Sequence, residues 1–340
     1  MSGLTTISRR SFLIMTAALA ACKPGSEILK LSGQTMGTTY NVTAVNHGAA
    51  IRHEDLGGAI EVALGDVNRQ MSNWDPASEL SRLNAAPPGE TLRLSAELHH
   101  VLRGAEAVHR ASDGRFDVTV GPLIDLWGFG AGPGAPRLPA EAQISAVVEK
   151  IGQDRVLSLR EDGTVSRTVE GAGVYLSAIA KGHGVDRVAQ VLRDFGLRDF
   201  MVEIGGDIFV SGLNGSGAPW QIGIEIPMAA AGGVHRVLGV SGMGMATSGD
   251  YRNYFEADGT RYSHIIDPTT GRPITHDTVS ATVLAADAML ADAWATAMLT
   301  LGRARGLEIA EDQGLAVLFI EAGPGGLVTT ESSRLAAAIA

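Results

Sequence analysis

The chain has 340 residues, a formal net charge of -10 and a single cysteine. The acidic balance excludes the broad basic face of a general nucleic-acid binder, and the lone cysteine excludes a disulfide framework or a CxxC redox motif. The length suits one large domain or two interwoven lobes, since domains usually hold ~100–200 residues. The 43 glycines, dispersed rather than repeated, predict many tight turns and close backbone approaches.

At the N-terminus Arg9 and Arg10 precede an apolar stretch from Phe12 to Ala21, which runs into Cys22. A charged start, a short apolar run and small residues before the cysteine form the layout of a secretory signal over residues 1–21. The run falls short of the ~20 residues a membrane-spanning helix needs. Leu19-Ala20-Ala21-Cys22 is similar to a bacterial lipoprotein cleavage box, in which the cysteine is acylated, and the paired arginines resemble a twin-arginine signal. An ordinary cleaved signal, or an N-terminal helix with a chance cysteine, are the alternatives. Lipidation at Cys22, a linker over 22–30 and one domain over 31–330 are the expected layout. It places the protein on the periplasmic side of a bacterial inner membrane, held there by lipid.

Along the chain, Leu31 to Val45 reads as a strand broken near Gly37, and Asp55 to Met71 as an amphipathic helix. Ser95 caps a predicted helix from Ala96 to Ala111, with His99, His100 and His109 on its wet side. Gly130 to Pro139 is a Gly/Pro-rich loop. Asp162-Gly163 and Asp258-Gly259 signal hairpins. Gly182 to Phe195 reads as a helix stopped by Gly196, and Ala285 to Leu301 as a helix of high intrinsic propensity. Phe200 to Val210, Trp220 to Ile226 and Val234 to Val240 are predicted strands of one sheet. Leu315 to Ile320 closes the fold as a buried strand, with Leu335 to Ala340 a frayed tail. Strands in runs with helices grouped between them predict an α+β fold.

No GxxxxGK[ST] phosphate loop, HExxH helix, GxSxG elbow or well-placed GxGxxG is present, so the familiar nucleotide and hydrolase templates do not apply. What stands out instead is polar residues in apolar settings. Asp292 and Thr296, four apart on the Ala-rich helix, share a face and offer hard oxygen donors suited to Mg2+. An exposed Asp and a core Thr bonded to its own helix are the bland alternative. Lys181, ahead of a helix start, suits an anion or is simply a solvated lysine. His264, in a strand before Asp267-Pro268, suits a general base near neutral pH or a structural role. Glu203-Ile204-Gly205-Gly206-Asp207 implies a bulge or a ligand pressed against the backbone.

Eight segments occur in one order: MGTTY from Met36, MSNWDPASELSRLN from Met71, GRFDVTVGPLIDLWGFG from Gly114, LSAIAKG from Leu176, EIGGD from Glu203, TSGDYRNYF from Thr247, YSHIIDPTTGRP from Tyr262 and ADAWATA from Ala291. Together they resemble the ApbE family of FAD:protein FMN transferases, from about Met36 to Phe319. The resemblance implies an α+β fold of mixed, largely antiparallel sheets packed with helices. It implies FAD as substrate, Mg2+ as cofactor, and transfer of FMN to a Thr or Ser hydroxyl of an acceptor flavoprotein with release of AMP. A membrane electron-transport subunit is the expected acceptor.

Carried residue by residue, the resemblance makes Asp292, Thr296 and the Ala178 carbonyl metal ligands, and His264 the base. Met36, Trp74, Arg115, Phe116, Asp117, Lys181 and Ile266 become FAD contacts. Trp74 and Phe116 offer flat faces to ring systems, or else pack as ordinary core. Tyr175 stands where the family usually has an Asp that helps hold the flavin nucleotide, and His183 where it often has Tyr. The competing expectations are an FAD pyrophosphatase, with water as acceptor, and a flavin-binding lipoprotein without chemistry.

Overall fold

The computed structural model describes residues 26–130, 136–228 and 232–338. The expected signal segment, Cys22 and part of the Gly/Pro-rich loop lie outside the described residues. The chain opens with β1 (Glu27–Thr35) and β2 (Thr38–Asn46), a hairpin whose turn residues Met36 and Gly37 both take positive φ, 48° and 72°. β1 thus begins inside the expected linker, because Leu29 and Leu31 pack into the core opposite Ala44 and Val42.

α1 (His53–Met71) buries the predicted stripe of Leu56, Ile60, Leu64 and Val67. α2 (Glu79–Ala85) starts at Ser78, whose Oγ accepts the Ser81 amide at 2.9 Å, and β3 (Thr91–Arg93) follows. α3 (Ala96–Ala111) is capped by Ser95 as expected, its Oγ accepting the Leu98 amide. His109 is not on the wet side. Asp113 and Gly114, at φ 54° and 74°, fold the chain back, and His109 Nδ1 donates to the Phe116 carbonyl at 2.7 Å.

Next come α4 (Gly121–Leu126), α5 (Glu141–Val148), α6 (Gln153–Val156) and the predicted hairpin β4 (Leu157–Leu159) and β5 (Thr164–Arg167). α7 (Ala180–Asp194) leads to β6 (Asp199–Ile204) and β7 (Asp207–Ser211), a hairpin turned by Gly205 and Gly206 at positive φ rather than one continuous strand. β8 (Trp220–Glu225), β9 (Val234–Val240) and β10 (Met243–Gly249) follow. The hairpin of β11 (Tyr254–Ala257) and β12 (Thr260–Ser263) is succeeded by the short pair β13 (Ile266–Asp267) and β14 (Arg272–Pro273). β15 (Thr278–Ala285), α8 (Ala288–Gln313), β16 (Ala316–Gly323), β17 (Gly326–Glu331) and α9 (Ser333–Ala338) complete the chain. Leu335 is fully buried in α9, so the tail is not frayed there.

The architecture is α+β. An eight-stranded sheet in the order β1-β2-β6-β7-β10-β15-β16-β17 is antiparallel at every pairing. Side chains alternate across it with period two. Val317 and Phe319 of β16 face the helical core with α3 and α8, while Leu318 and Ile320 face the opposite core with β8 and β9. Among the described residues β8 and β9 pair only with each other and lie over that second face, which corrects the expectation that they extend the main sheet. Among the described residues no helix is long and apolar enough to cross a membrane.

The start of α8 is a close backbone junction. A Cβ at Gly182 would lie 2.1 Å from the Ala288 carbonyl oxygen, and one at Gly244 would lie 2.4 Å from the Ala288 amide nitrogen. Only glycine lets α7 and β10 close on that helix end. Asp186 of α7 accepts the Ala288 and Met289 amides at 2.9 Å each, and Asp287 accepts the Leu290 amide at 2.7 Å. These bonds satisfy first-turn donors that otherwise lack partners. They fix the helix one turn before Asp292.

Candidate active site

Three charged groups from three elements converge beside that junction. Lys181 lies inside the first turn of α7 rather than ahead of it; its Nζ pairs with Asp207 Oδ2 and stands 3.6 Å from Asp292 Oδ1. Asp207 is delivered by the Gly205-Gly206 turn into β7, and Asp292 by the second turn of α8. Asp292 Oδ2 also accepts the Gly182 amide at 3.2 Å. Asp207 and Asp292 are 3% and 4% exposed, so the bland reading of Asp292 as a surface carboxylate does not hold.

Two buried carboxylates face one ammonium, so with both carboxylates ionised the cluster is short of one positive charge. Burial, then the charge of Asp207, raise the Asp292 pKa against the opposing pull of Lys181 and the Gly182 amide. Burial alone would lower the Lys181 pKa, but Asp207 and Asp292 outweigh it and keep the ammonium charged. An added cation would relieve this imbalance.

Thr296 shares the Asp292 face of α8, and its Oγ1 lies 3.2 Å from Ser248 Oγ of β10. Ala178 sits in the turn just before α7. Among the described residues no group of three or more His, Cys, Asp or Glu could hold a metal ion. With the predicted ligands, a cation here would rest on the Asp292 carboxylate together with the Thr296 hydroxyl and the Ala178 carbonyl oxygen. That donor set fits Mg2+, a hard ion that keeps several waters and takes substrate phosphate oxygens.

His264 follows β12 rather than lying within it, and is partly exposed. Its amide and its Nδ1 both reach the Asn253 carbonyl at 3.0 Å. A carbonyl only accepts, so Nδ1 carries the proton and Nε2 keeps its lone pair. Burial lowers the pKa, outweighing the Asn253 hydrogen bond, so the ring stays neutral to lower pH than an ordinary histidine. Phe129 meets the ring edge-on, with centroids 6.3 Å apart.

The remaining predicted residues fall into two groups. Arg115 pairs with Asp267 at 2.6 Å, beside Ile266, which is buried against Leu123 and Trp127. Met36 packs over Gly184 of α7, and Trp74 is 76% exposed in a loop whose Ser72 Oγ accepts its amide. Phe116 and Asp117 point inward. Phe116 is 2% exposed within the helical core, so its flat face is not available for stacking, and the Asp117 carboxylate is held by the Thr119 and Gln153 amides at 2.7 and 2.9 Å. Tyr175 lays its ring on Gly121 and donates from its hydroxyl to Asp125 Oδ2 at 2.8 Å. The carboxylate missing at 175 thus stands next door, on α4. His183 is buried and lies 3.4 Å from Glu97.

Asp207, Ser248 and Asp267, to which the sequence assigns no role, each contact a predicted site residue: Lys181, Thr296 and Arg115 respectively. Each lies inside a segment already quoted; the available signal was a carboxylate or hydroxyl directly beside a glycine turn or a strand end.

The fold and site residues define an α+β protein with a buried acidic cluster on α7, β7 and α8, and a histidine after β12 whose Nε2 is left free by the Asn253 carbonyl. Residues 36–319 match the ApbE family, and the chain belongs to that family. It is 42% identical over 324 residues to a Haemophilus influenzae protein named FAD:protein FMN transferase, covering 94% of each chain. The solved flavin transferase ApbE from Vibrio cholerae superposes with a TM-score of 0.86 at 39% identity, over 92% of this chain and 100% of that one. The apo flavinyl transferase ApbE from Pseudomonas stutzeri gives 0.84 at 36% identity, over 92% and 97%.

Proposed function

We propose that this protein transfers FMN from FAD to a Thr or Ser hydroxyl of an acceptor flavoprotein, releases AMP, and depends on Mg2+. The observation that carries this reading is the buried cluster of two carboxylates, Asp207 and Asp292, around the single ammonium of Lys181, at the end of α8 that bears Thr296. The shared family and the names of the relatives support the same activity.

In this reaction the acceptor oxygen bonds to the FMN phosphorus, the bond from that phosphorus to the bridging oxygen breaks, and AMP leaves with the bridging oxygen. The hydroxyl proton passes to His264 Nε2, the ring nitrogen that the Asn253 carbonyl leaves free. Lys181 supplies positive charge near the phosphates, and Asp207 holds its ammonium in place. Asp292, Thr296 and the Ala178 carbonyl would hold Mg2+, whose charge offsets what develops on the phosphate oxygens. Trp74 offers its exposed indole to a flavin or adenine ring.

Lipid on Cys22 would keep the enzyme on the periplasmic side of the inner membrane, near a membrane electron-transport acceptor. The soluble Cys22→Ser form tests both parts. With FAD, Mg2+ and an acceptor domain bearing the target threonine, it is expected to leave flavin fluorescence on the acceptor band of a denaturing gel, while losing membrane fractionation in cells. An acceptor band without flavin would overturn the transferase reading.

A further inference from the structure

We propose that Arg261 is a positioning residue for His264, acting through the bend that joins β10 to β11. This rests on the reading of His264 as the base.

The proton on Nδ1 is placed by one acceptor, the Asn253 carbonyl, which also takes the His264 amide. Asn253 belongs to no strand or helix; it sits in an irregular bend between Gly249 and Tyr254. A loop carbonyl orients a ring only if the loop is held. Arg261 holds both ends of it. One guanidinium nitrogen donates to the Asp250 carbonyl at 2.7 Å, and another lies 3.5 Å from Asp250 Oδ2. The guanidinium carbon also stands 4.2 Å from the centre of the Tyr254 ring. Asp250 is itself anchored, its amide donating to the Val279 carbonyl of β15 at 3.2 Å.

The clamp is short and local. Arg261 lies opposite Glu256 in the hairpin, Tyr254 lies opposite Ser263, and His264 is the next residue. The strand that carries Arg261 therefore leads straight into the histidine whose acceptor it secures. A planar, forked, stacking cation is required, since lysine has neither the fork nor the flat face.

The test compares Arg261→Lys and Tyr254→Leu with the full protein. The lysine keeps a charge for the buried Asp250, and the leucine leaves Asp250 untouched, so both variants retain a route to the folded state. Nitrogen-15 spectra of the histidine side chains are expected to show His264 as the Nδ1–H tautomer in the parent and as a mixture in both variants. kcat is expected to fall by about 10–100-fold, the scale of a misplaced catalytic group, with the KM for FAD unchanged. Folded variants with an unchanged tautomer and kcat would overturn the proposal, as would a rise in KM alone. The tautomer does not depend on what His264 does in the reaction. A shifted tautomer beside full transfer by His264→Ala would support the clamp and defeat the base assignment.

Discussion

Replacing His264 by alanine is expected to lower transfer to the acceptor by about 10²–10⁴-fold while FAD still binds, the usual range for loss of a general base. The expectation follows from a ring whose Nδ1 proton is committed to the Asn253 carbonyl, which leaves Nε2 as its single acceptor. Burial lowers the pKa of this histidine below its ordinary value of 6.5. The reactive form is the neutral one, present above the folded-state pKa. Rate should therefore hold as pH falls through 6.5 and decline only below it. A parent acid limb centred at or above that value, or His264→Ala with undiminished transfer, would remove the residue from the base role.

Asp292→Ala is expected to abolish saturable Mg2+ binding by calorimetry and to lower transfer by about 10²–10³-fold, the scale of losing one preorganised electrostatic group. The substitution leaves Lys181 paired with Asp207 in a neutral couple, so the cluster no longer calls for a cation. Stability should move the other way. Because the Asp292 pKa is raised in the folded protein, its ionised form costs stability once pH exceeds the unfolded value. Asp292→Asn keeps an oxygen for the Gly182 amide and removes that charge. Without metal it should melt at or above the parent temperature, and only the parent should gain stability when Mg2+ is added. Equal Mg2+ stabilisation of the parent and the asparagine form would contradict the ligand assignment.

Much of this site could be read along the chain because its chemistry sits in short segments. Asp292 and Thr296 are four apart on a helix of strong propensity, and the geometry of the helix alone puts them on one face. Their meeting with Lys181 could not be read that way. It depends on α7 and β10 closing over Gly182 and Gly244 onto the start of α8, a contact between segments far apart in sequence. Asp207 lay within a quoted segment, yet its burial against Lys181 follows from a hairpin turn that the β pattern concealed.

The central strands were the least legible part of the fold. β15, Thr-Val-Ser-Ala-Thr-Val-Leu-Ala, is buried on both faces and so lacks the alternation that marks a half-exposed strand. β10 is rich in glycine and methionine and carries little strand propensity. β8 and β9 do alternate, but periodicity cannot say which sheet a hairpin joins. Phe116 shows the same limit at a side chain. An aromatic beside Arg115 suits a ligand or the core equally well, and only the fold-back after Asp113 buries it.

The most direct measurement is a product balance. The protein is incubated with FAD, Mg2+ and a threonine-bearing acceptor, and AMP, FMN and intact acceptor are quantified by mass spectrometry. The expected result is AMP formed in step with acceptor that has gained FMN less one water, with little free FMN. Matched AMP and free FMN beside unmodified acceptor would show water to be the true acceptor, and unchanged FAD would show binding without chemistry; either would contradict the transferase account.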